Sequence, residues 1–255
     1  MTEAVALKPG TPSWVDLSTS DLAKAGEFYA GVLGWTVKDL GPDAGGYVMF
    51  HKDGKEVAGG GPLPDPNMPP VWSTYLKVED AAATAKAAEE AGGKVVMAPM
   101  QVMEQGTMAV LQDPTGAYVS IWQPGVHQGA ELYNAPGALC WNELATRDLA
   151  AAEKFYRTVF GLEPKTEGEA DQAYTQFFVG DHSVAGMLDM TGRMPETVPP
   201  NWLAYFGVED IQHVMDQTKK LGGEVRMGPI PSPFGQFAVI ADPAGAVFAA
   251  IELKP

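Results

Sequence analysis

PSWVDLSTSDLAKAGEFYAGVLGWTV, Pro12 to Val37, occurs a second time as LCWNELATRDLAAAEKFYRTVFGLEP, Leu139 to Pro164. Trp14, Leu17, Asp21, Leu22, Phe28, Tyr29 and Gly34 recur at constant spacing as Trp141, Leu144, Asp148, Leu149, Phe155, Tyr156 and Gly161, and further on Tyr47, Phe50 and Val57-Ala58-Gly59 recur as Tyr174, Phe177 and Val184-Ala185-Gly186. A different unit follows each copy. Its markers Trp72, Tyr75, Val78, Glu79, Asp80 and Gly92-Gly93 return as Trp202, Tyr205, Val208, Glu209, Asp210 and Gly222-Gly223, and each unit ends on a strand after Asp113-Pro114-Thr115-Gly116 or Asp242-Pro243-Ala244-Gly245. Repeats of this length are supersecondary units that cannot bury their apolar faces alone.

All four units read in one order: an alternating strand, a helix, then two or three short strands. Asp21 is placed to cap the first helix, because its carboxylate can accept from the unpaired N–H groups of the first turn. Leu22, Ala25, Phe28, Tyr29, Val32 and Leu33 follow at intervals of three or four, giving one apolar stripe that must lie on a sheet. Gly34 ends it, being free to adopt positive φ. In the second kind of unit Asp80 starts the helix and Gly92-Gly93 stops it. The spacing therefore predicts an α+β chain of four tandem modules of this kind: residues 10–62 and 70–124 in a first domain (10–124), a linker at 125–137, and residues 138–192 and 199–254 in a second domain (138–254).

The chain of 255 residues is 45% hydrophobic and 19% charged, enough apolar mass for more than one core. Its formal net charge of −15 disfavours nucleic acid and anionic membranes as partners. No apolar run is long enough to span a bilayer and the N-terminus has no leader pattern, so a cytoplasmic location is expected. Cys140, the single cysteine, lies in an apolar strand and reads as an inert buried thiol; a four-thiolate metal site is excluded.

With these pieces on the page, the chain resembles the vicinal oxygen chelate superfamily, which includes glyoxalase I, extradiol dioxygenases and bleomycin-resistance proteins. The resemblance rests on the strand-Asp-Leu-helix-Phe-Tyr-Gly pieces, the Gly-Gly-x-Val pieces and the Asp-Pro-x-Gly ends, and it covers nearly the whole chain. It implies that each module is a βαβββ unit of the glyoxalase/bleomycin-resistance fold and that paired modules form a U-shaped sheet around a cup, with one metal per cup held by His, Gln or Glu. Carried over position by position, those ligands fall on Trp14, Ser73, Ser120 and, in an uncertain register with Glu56 within reach, Gly59. In the second half they fall on Trp141, Leu203, Ala249 and Gly186. A catalytic metal of this kind needs three or four N or O donors converging at about 2 Å. These residues do not provide them, and neither His51, His127, His182 nor His213 has ligand spacing, so no metal and no other cofactor is expected.

Strand alternation places Trp14, Asp16 and Ser18 on one face, with Ser73 and Tyr75, and Tyr118, Ser120 and Trp122 on the matching strands. The second half offers Trp141 and Glu143, Leu203 and Tyr205, and Val247, Ala249 and Ile251. An apolar concavity with a few polar groups suits a small aromatic or apolar molecule. The expected ligand-binding residues are Trp14, Ser73, Tyr75, Ser120, Trp122, Trp141 and Tyr205, with Asp16 and Glu143 as candidate general acids or bases. A tryptophan on a strand is more often core than ligand wall, and each carboxylate reads first as a structural hydrogen-bond acceptor and only then as a catalyst. Met97, Met100, Met103 and Met108 either line an adaptable pocket or fill core gaps.

The first reading is thus a metal-free small-molecule binding protein. A cofactor-free enzyme acting through Asp16 or Glu143, a metal-dependent lyase or dioxygenase, and a scaffold protein are the alternatives. Ser73 and Ser120 stand where the second half has Leu203 and Ala249, so the first cup is expected to be the functional one. The acidic surplus weakly favours cationic ligands. A monomer suffices, since both cups form within one chain.

Overall fold

A computed structural model describes residues 8–168 and 173–253 of the chain. Each of the four modules is βαβββ. The first comprises β1 (Pro12–Thr19), α1 (Leu22–Leu33), β2 (Thr36–Asp39), β3 (Val48–Lys52) and β4 (Lys55–Pro62). The second comprises β5 (Val71–Lys77), α2 (Ala81–Glu90), β6 (Lys94–Val102), β7 (Gly106–Gln112) and β8 (Tyr118–Pro124). The third runs through β9 (Leu139–Thr146), α3 (Leu149–Phe160), β10 (Glu163–Glu167), β11 (Tyr174–Val179) and β12 (His182–Asp189). The fourth runs through β13 (Asn201–Val208), α4 (Ile211–Lys220), β14 (Glu224–Ser232), β15 (Gly235–Ala241) and β16 (Val247–Leu253).

The helix starts follow from their caps. Asp21, Asp80, Asp148 and Asp210 each accept from the backbone N–H three residues on, at 2.9–3.0 Å. Gly34 and Gly161 end α1 and α3 in the left-handed region, at φ 70° and 66°. The strands form two eight-stranded sheets, one per half, in the orders β2-β3-β4-β1-β5-β8-β7-β6 and β10-β11-β12-β9-β13-β16-β15-β14. Among the described residues no helix is long and apolar enough to cross a membrane.

Packing follows a grouping that differs from the sheets. One compact unit holds the stretch ending at Trp14, Thr74–Gly129 and Trp141–Leu203, so the second module packs with the third. The other holds Val15–Ser73, Ala130–Cys140 and the stretch beginning at Ala204, so the first packs with the fourth. In the first unit Leu76, Leu111, Val119, Phe155, Tyr156, Phe177 and Trp202 belong to one buried cluster. Each such side chain contributes about 1.5–3 kcal/mol of burial relative to exposure. In the second unit the core is more aromatic: Trp35 stacks on Tyr29 at 5.4 Å and meets Phe206 edge-on at 5.1 Å.

Both units contain one hydrogen-bonded relay built from the repeated motifs. Trp72 Nε1 donates to the Tyr29 hydroxyl (2.8 Å), which donates to Asp242 Oδ2 (3.1 Å). Likewise Trp202 Nε1 donates to Tyr156 (2.8 Å), which donates to Asp113 Oδ2 (2.9 Å). The other carboxylate oxygen of each aspartate holds its own turn, Asp113 Oδ1 accepting from the N–H groups of Thr115, Gly116 and Ala117. One polar contact is not repeated: Thr74 Oγ1 donates to Asn142 Oδ1 at 2.8 Å, deep in the first unit, where the other unit has Val15 and Ala204 at the equivalent positions.

The segment between the halves is tied down along its length. Gly125 and His127 donate to Gln105 O, Trp35 Nε1 donates to Gly137 O at 2.6 Å, and Gly137 N donates to Gly207 O.

Candidate binding face

In the first unit, strands β5, β8, β7 and β6 pair in that order, and their register fixes which side chains share a face. Tyr75, Ser120, Val110 and Met97 form one row across the strands; Lys77, Trp122, Met108 and Met100 form the next. The opposite face, with Leu76, Ile121, Ala109, Val119 and Leu111, is the fully buried side of the core. So Tyr75, Ser120 and Trp122, expected from sequence, do lie together. Trp122 is held by a bond from Nε1 to His127 O at 2.9 Å, and the His127 ring packs edge-on to Trp14 at 4.4 Å. Trp14 thus sits in a Trp14–His127–Trp122 cluster within this unit.

In the second unit the equivalent rows are Tyr205, Ala249, Val239 and Met227, then Gly207, Ile251, Phe237 and Ile230. Tyr205 packs on Phe237 at 5.8 Å, and the Cys140 thiol donates to Tyr205 O at 3.3 Å. Burial pushes the pKa of that thiol up to about 12, so it is unreactive at neutral pH. Apart from Tyr205, this face has no polar side chain in the two rows.

The strand carboxylates accept hydrogen bonds, the structural role that the sequence offered for them, and the donors are tyrosines of their own modules. Tyr174 donates to Glu143 Oε2 at 2.7 Å and accepts from Trp141 Nε1 at 3.0 Å. Burial, and then the Glu143 charge, raise the Tyr174 pKa far above its ordinary value. In the first module Tyr47 donates to Asp16 Oδ2 at 3.4 Å, a longer and weaker bond. These tyrosines explain Gly59 and Gly186. A Cβ at Gly59 would collide with the Tyr47 hydroxyl, and one at Gly186 with the Tyr174 hydroxyl. Each ring therefore fills the space into which a side chain at the implied ligand position would extend. Ser73, another implied ligand position, is half-buried in the second unit.

The sequence signals for these additional residues were present. Lys77 has the parity of Tyr75, and Tyr47–Gly59 repeats as Tyr174–Gly186, but neither periodicity nor repetition states what touches what. Two surface clefts lie elsewhere. One of about 180 Å³ lies between Ser20, Asp21 and Lys24 and the Asp242 turn, and one of about 140 Å³ is bounded by Glu153, Asp189 and Arg193. Neither includes an expected site residue, and both are below the roughly 300–1,000 Å³ that a drug-sized ligand occupies.

The sequence profile of the Glyoxalase/Bleomycin resistance protein/Dioxygenase superfamily matches residues 11–121 and again 139–249. The chain belongs to this superfamily. Among its relatives are the anthracycline biosynthesis proteins DauV of Streptomyces sp. (strain C5) and DnrV of Streptomyces peucetius. They are 38% and 39% identical, each over 96% of this chain and 94% of the relative. The Mn(II)-bound glyoxalase from Novosphingobium aromaticivorans superposes with a TM-score of 0.65 at 18% identity, covering 97% of this chain and 83% of that one, a likeness of fold alone.

The divalent metal that the superfamily implies does not fit the residues present. An indole N–H only donates, and glycine, leucine and alanine offer no side-chain donor to a metal, which leaves the hydroxyls of Ser73 and Ser120 and, in the shifted register, the Glu56 carboxylate, a poor set for a divalent ion. Among the described residues no three His, Cys, Asp or Glu side chains are grouped to hold an ion.

Proposed function

We propose that this superfamily member binds a flat, polycyclic aromatic molecule on the Tyr75–Ser120–Trp122 face, without a divalent metal. The observation that carries the reading is the difference between the two repeated faces. One combines a tyrosine and a serine hydroxyl, an indole and three methionines, while its repeat has one methionine, no indole and no hydroxyl besides that of Tyr205. Methionines adapt to irregular apolar outlines, and the indole supplies stacking area. The names of DauV and DnrV make a compound of the anthracycline kind the first class to test. A cytoplasmic location and a small-molecule rather than macromolecular partner belong to this reading.

The test is elemental analysis of protein purified without chelators, followed by quenching of tryptophan fluorescence with a polycyclic aromatic probe such as an anthraquinone. Saturable quenching that Trp122→Leu weakens at least tenfold, in protein without stoichiometric metal, is the expected result. A stoichiometric metal, or quenching untouched by Trp122→Leu, overturns it.

A second reading is a cofactor-free enzyme working through Asp16. It is favoured by the contrast between the 2.7 Å Tyr174–Glu143 bond and the 3.4 Å Tyr47–Asp16 bond, which leaves the Asp16 carboxylate less firmly engaged by its tyrosine. Under that reading Asp16→Asn abolishes turnover of an aromatic substrate while Glu143→Gln does not.

A further inference from the structure

We propose that Lys77 is the polar anchor of this face, and that the molecule it selects carries an anionic or strongly accepting oxygen, such as a carboxylate, phenolate or quinone carbonyl, on its planar frame. The inference rests on the binding reading above and adds the ligand's chemistry to it.

Lys77 is in direct register with Trp122, so its side chain leaves the sheet beside the indole and in the same row as Met108 and Met100. Its backbone is fixed at the strand end, where Gly10 N donates to Lys77 O at 2.8 Å and Lys77 N donates to Thr11 O at 2.9 Å. It is the one charged side chain in the two central rows. Among the described residues no carboxylate pairs with its amine, and burial alone, with no opposing charge, lowers its pKa from the ordinary lysine value. The residue is half-buried, and an ammonium that has lost some of its water without gaining a counter-charge is one that an oxygen of a bound molecule would stabilise.

The repeat shows that the lysine is particular to one face. Its counterpart is Gly207, where a Cβ would come within 2.8 Å of Ala135 O, so no side chain fits there. Lys77 therefore places a positive charge in the row of Trp122 although the formal net charge of the chain is −15. A ligand held by it has the opposite charge to the one that net charge weakly favours. Residues two apart on a strand are roughly 7 Å apart. A second ligand oxygen at about that distance from the first would reach the Ser120 or Tyr75 hydroxyl in the neighbouring row.

Two isosteric probes separate this proposal from the reading beneath it: anthracene-2-carboxylate and the neutral anthracene-2-carboxamide, each titrated by fluorescence quenching against wild type, Lys77→Met and Lys77→Arg. The expected result is a preference of about tenfold or more for the carboxylate in wild type and Lys77→Arg. Lys77→Met loses that preference and keeps its affinity for the carboxamide. If Lys77→Met binds both probes as wild type does, Lys77 is not the anchor while the binding face stands. If neither probe binds wild type, the face itself is refuted and the anchor with it.

Discussion

Tyr29 in α1 donates its hydroxyl proton to the carboxylate of Asp242, a residue 213 positions further along the chain. Both are fully or nearly fully buried, and the same hydroxyl accepts from Trp72. The Phe-Tyr pair of one module, the Asp-Pro turn of another and the tryptophan that opens a third strand set are thus one device. Tyr156, Asp113 and Trp202 form it again in the other unit. A carboxylate that fixes its own turn with one oxygen and receives a tyrosine with the other joins two modules at a defined place.

Removing the hydroxyl strands both neighbours. Tyr29→Phe leaves the Trp72 indole N–H and Asp242 Oδ2 buried without their partner, at a cost of about 1–3 kcal/mol. Urea denaturation followed by tryptophan fluorescence should show that loss, with a similar one for Tyr156→Phe because the second relay is built alike. An unchanged midpoint in both variants would mean that water satisfies these groups instead.

Gly59 and Gly186 are glycines because tyrosines need the room. Adding one methyl in Gly186→Ala sets a Cβ against the Tyr174 hydroxyl and the Trp141 indole nitrogen. Overpacking of this kind costs about 1–3 kcal/mol. In the Tyr174→Ala background the same methyl meets less resistance, so the double-mutant cycle should give a favourable coupling of at least about 0.5 kcal/mol. Additive effects would place the ring elsewhere.

How much of this was legible in the sequence depended on whether the physics was local. Helix caps at Asp21, Asp80, Asp148 and Asp210, the glycine stops, the turns and the strand alternation involve neighbours in the chain, and they read directly. Tyr75, Ser120 and Trp122 came out on one face because parity is also local. Lys77 has the same parity, but parity alone does not say which side chains of a face carry its chemistry. The cross-half pairing of modules, the tyrosines beside Asp16 and Glu143, and the relay between Tyr29 and Asp242 depend on contacts between distant segments. Repetition marked those residues without indicating their partners.

Thr74 and Asn142 break the symmetry between the units. Their bond is buried, and Asn142 Nδ2 has no hydrogen-bond partner among the described residues, so the amide depends on Thr74 alone for its side-chain contact. Thr74→Val keeps the shape and removes the donor, which should cost about 1–3 kcal/mol. Thr74→Ala with Asn142→Val copies the apolar pair Val15 and Ala204 of the other unit, and should recover most of that loss. Thermal denaturation of the three proteins distinguishes a paired amide from a merely tolerated one: if the double variant is less stable than Thr74→Val, the apolar copy does not fit.

Alkaline pH should weaken the fold in a defined window. Burial raises the Cys140 thiol from its ordinary value near 9 to about 12, and raises the Tyr29, Tyr156 and Tyr174 hydroxyls above the ordinary 10. In each case the folded state holds its proton longer than the unfolded chain. The stability these groups contribute is therefore complete below about pH 9 and falls as pH rises, because the unfolded chain ionises first. For the thiol alone the slope approaches about 1.4 kcal/mol per pH unit between 9 and 12, and the tyrosines steepen it above 10. Urea midpoints at pH 8, 9.5 and 11 should decline at an increasing rate, and Cys140→Ala should remove the first part of the decline while leaving the second. At pH 8 the native thiol should also react with a disulfide reagent far more slowly than the unfolded chain. Rapid labelling of the native protein would show that Cys140 is not held in the buried environment that Tyr205 closes.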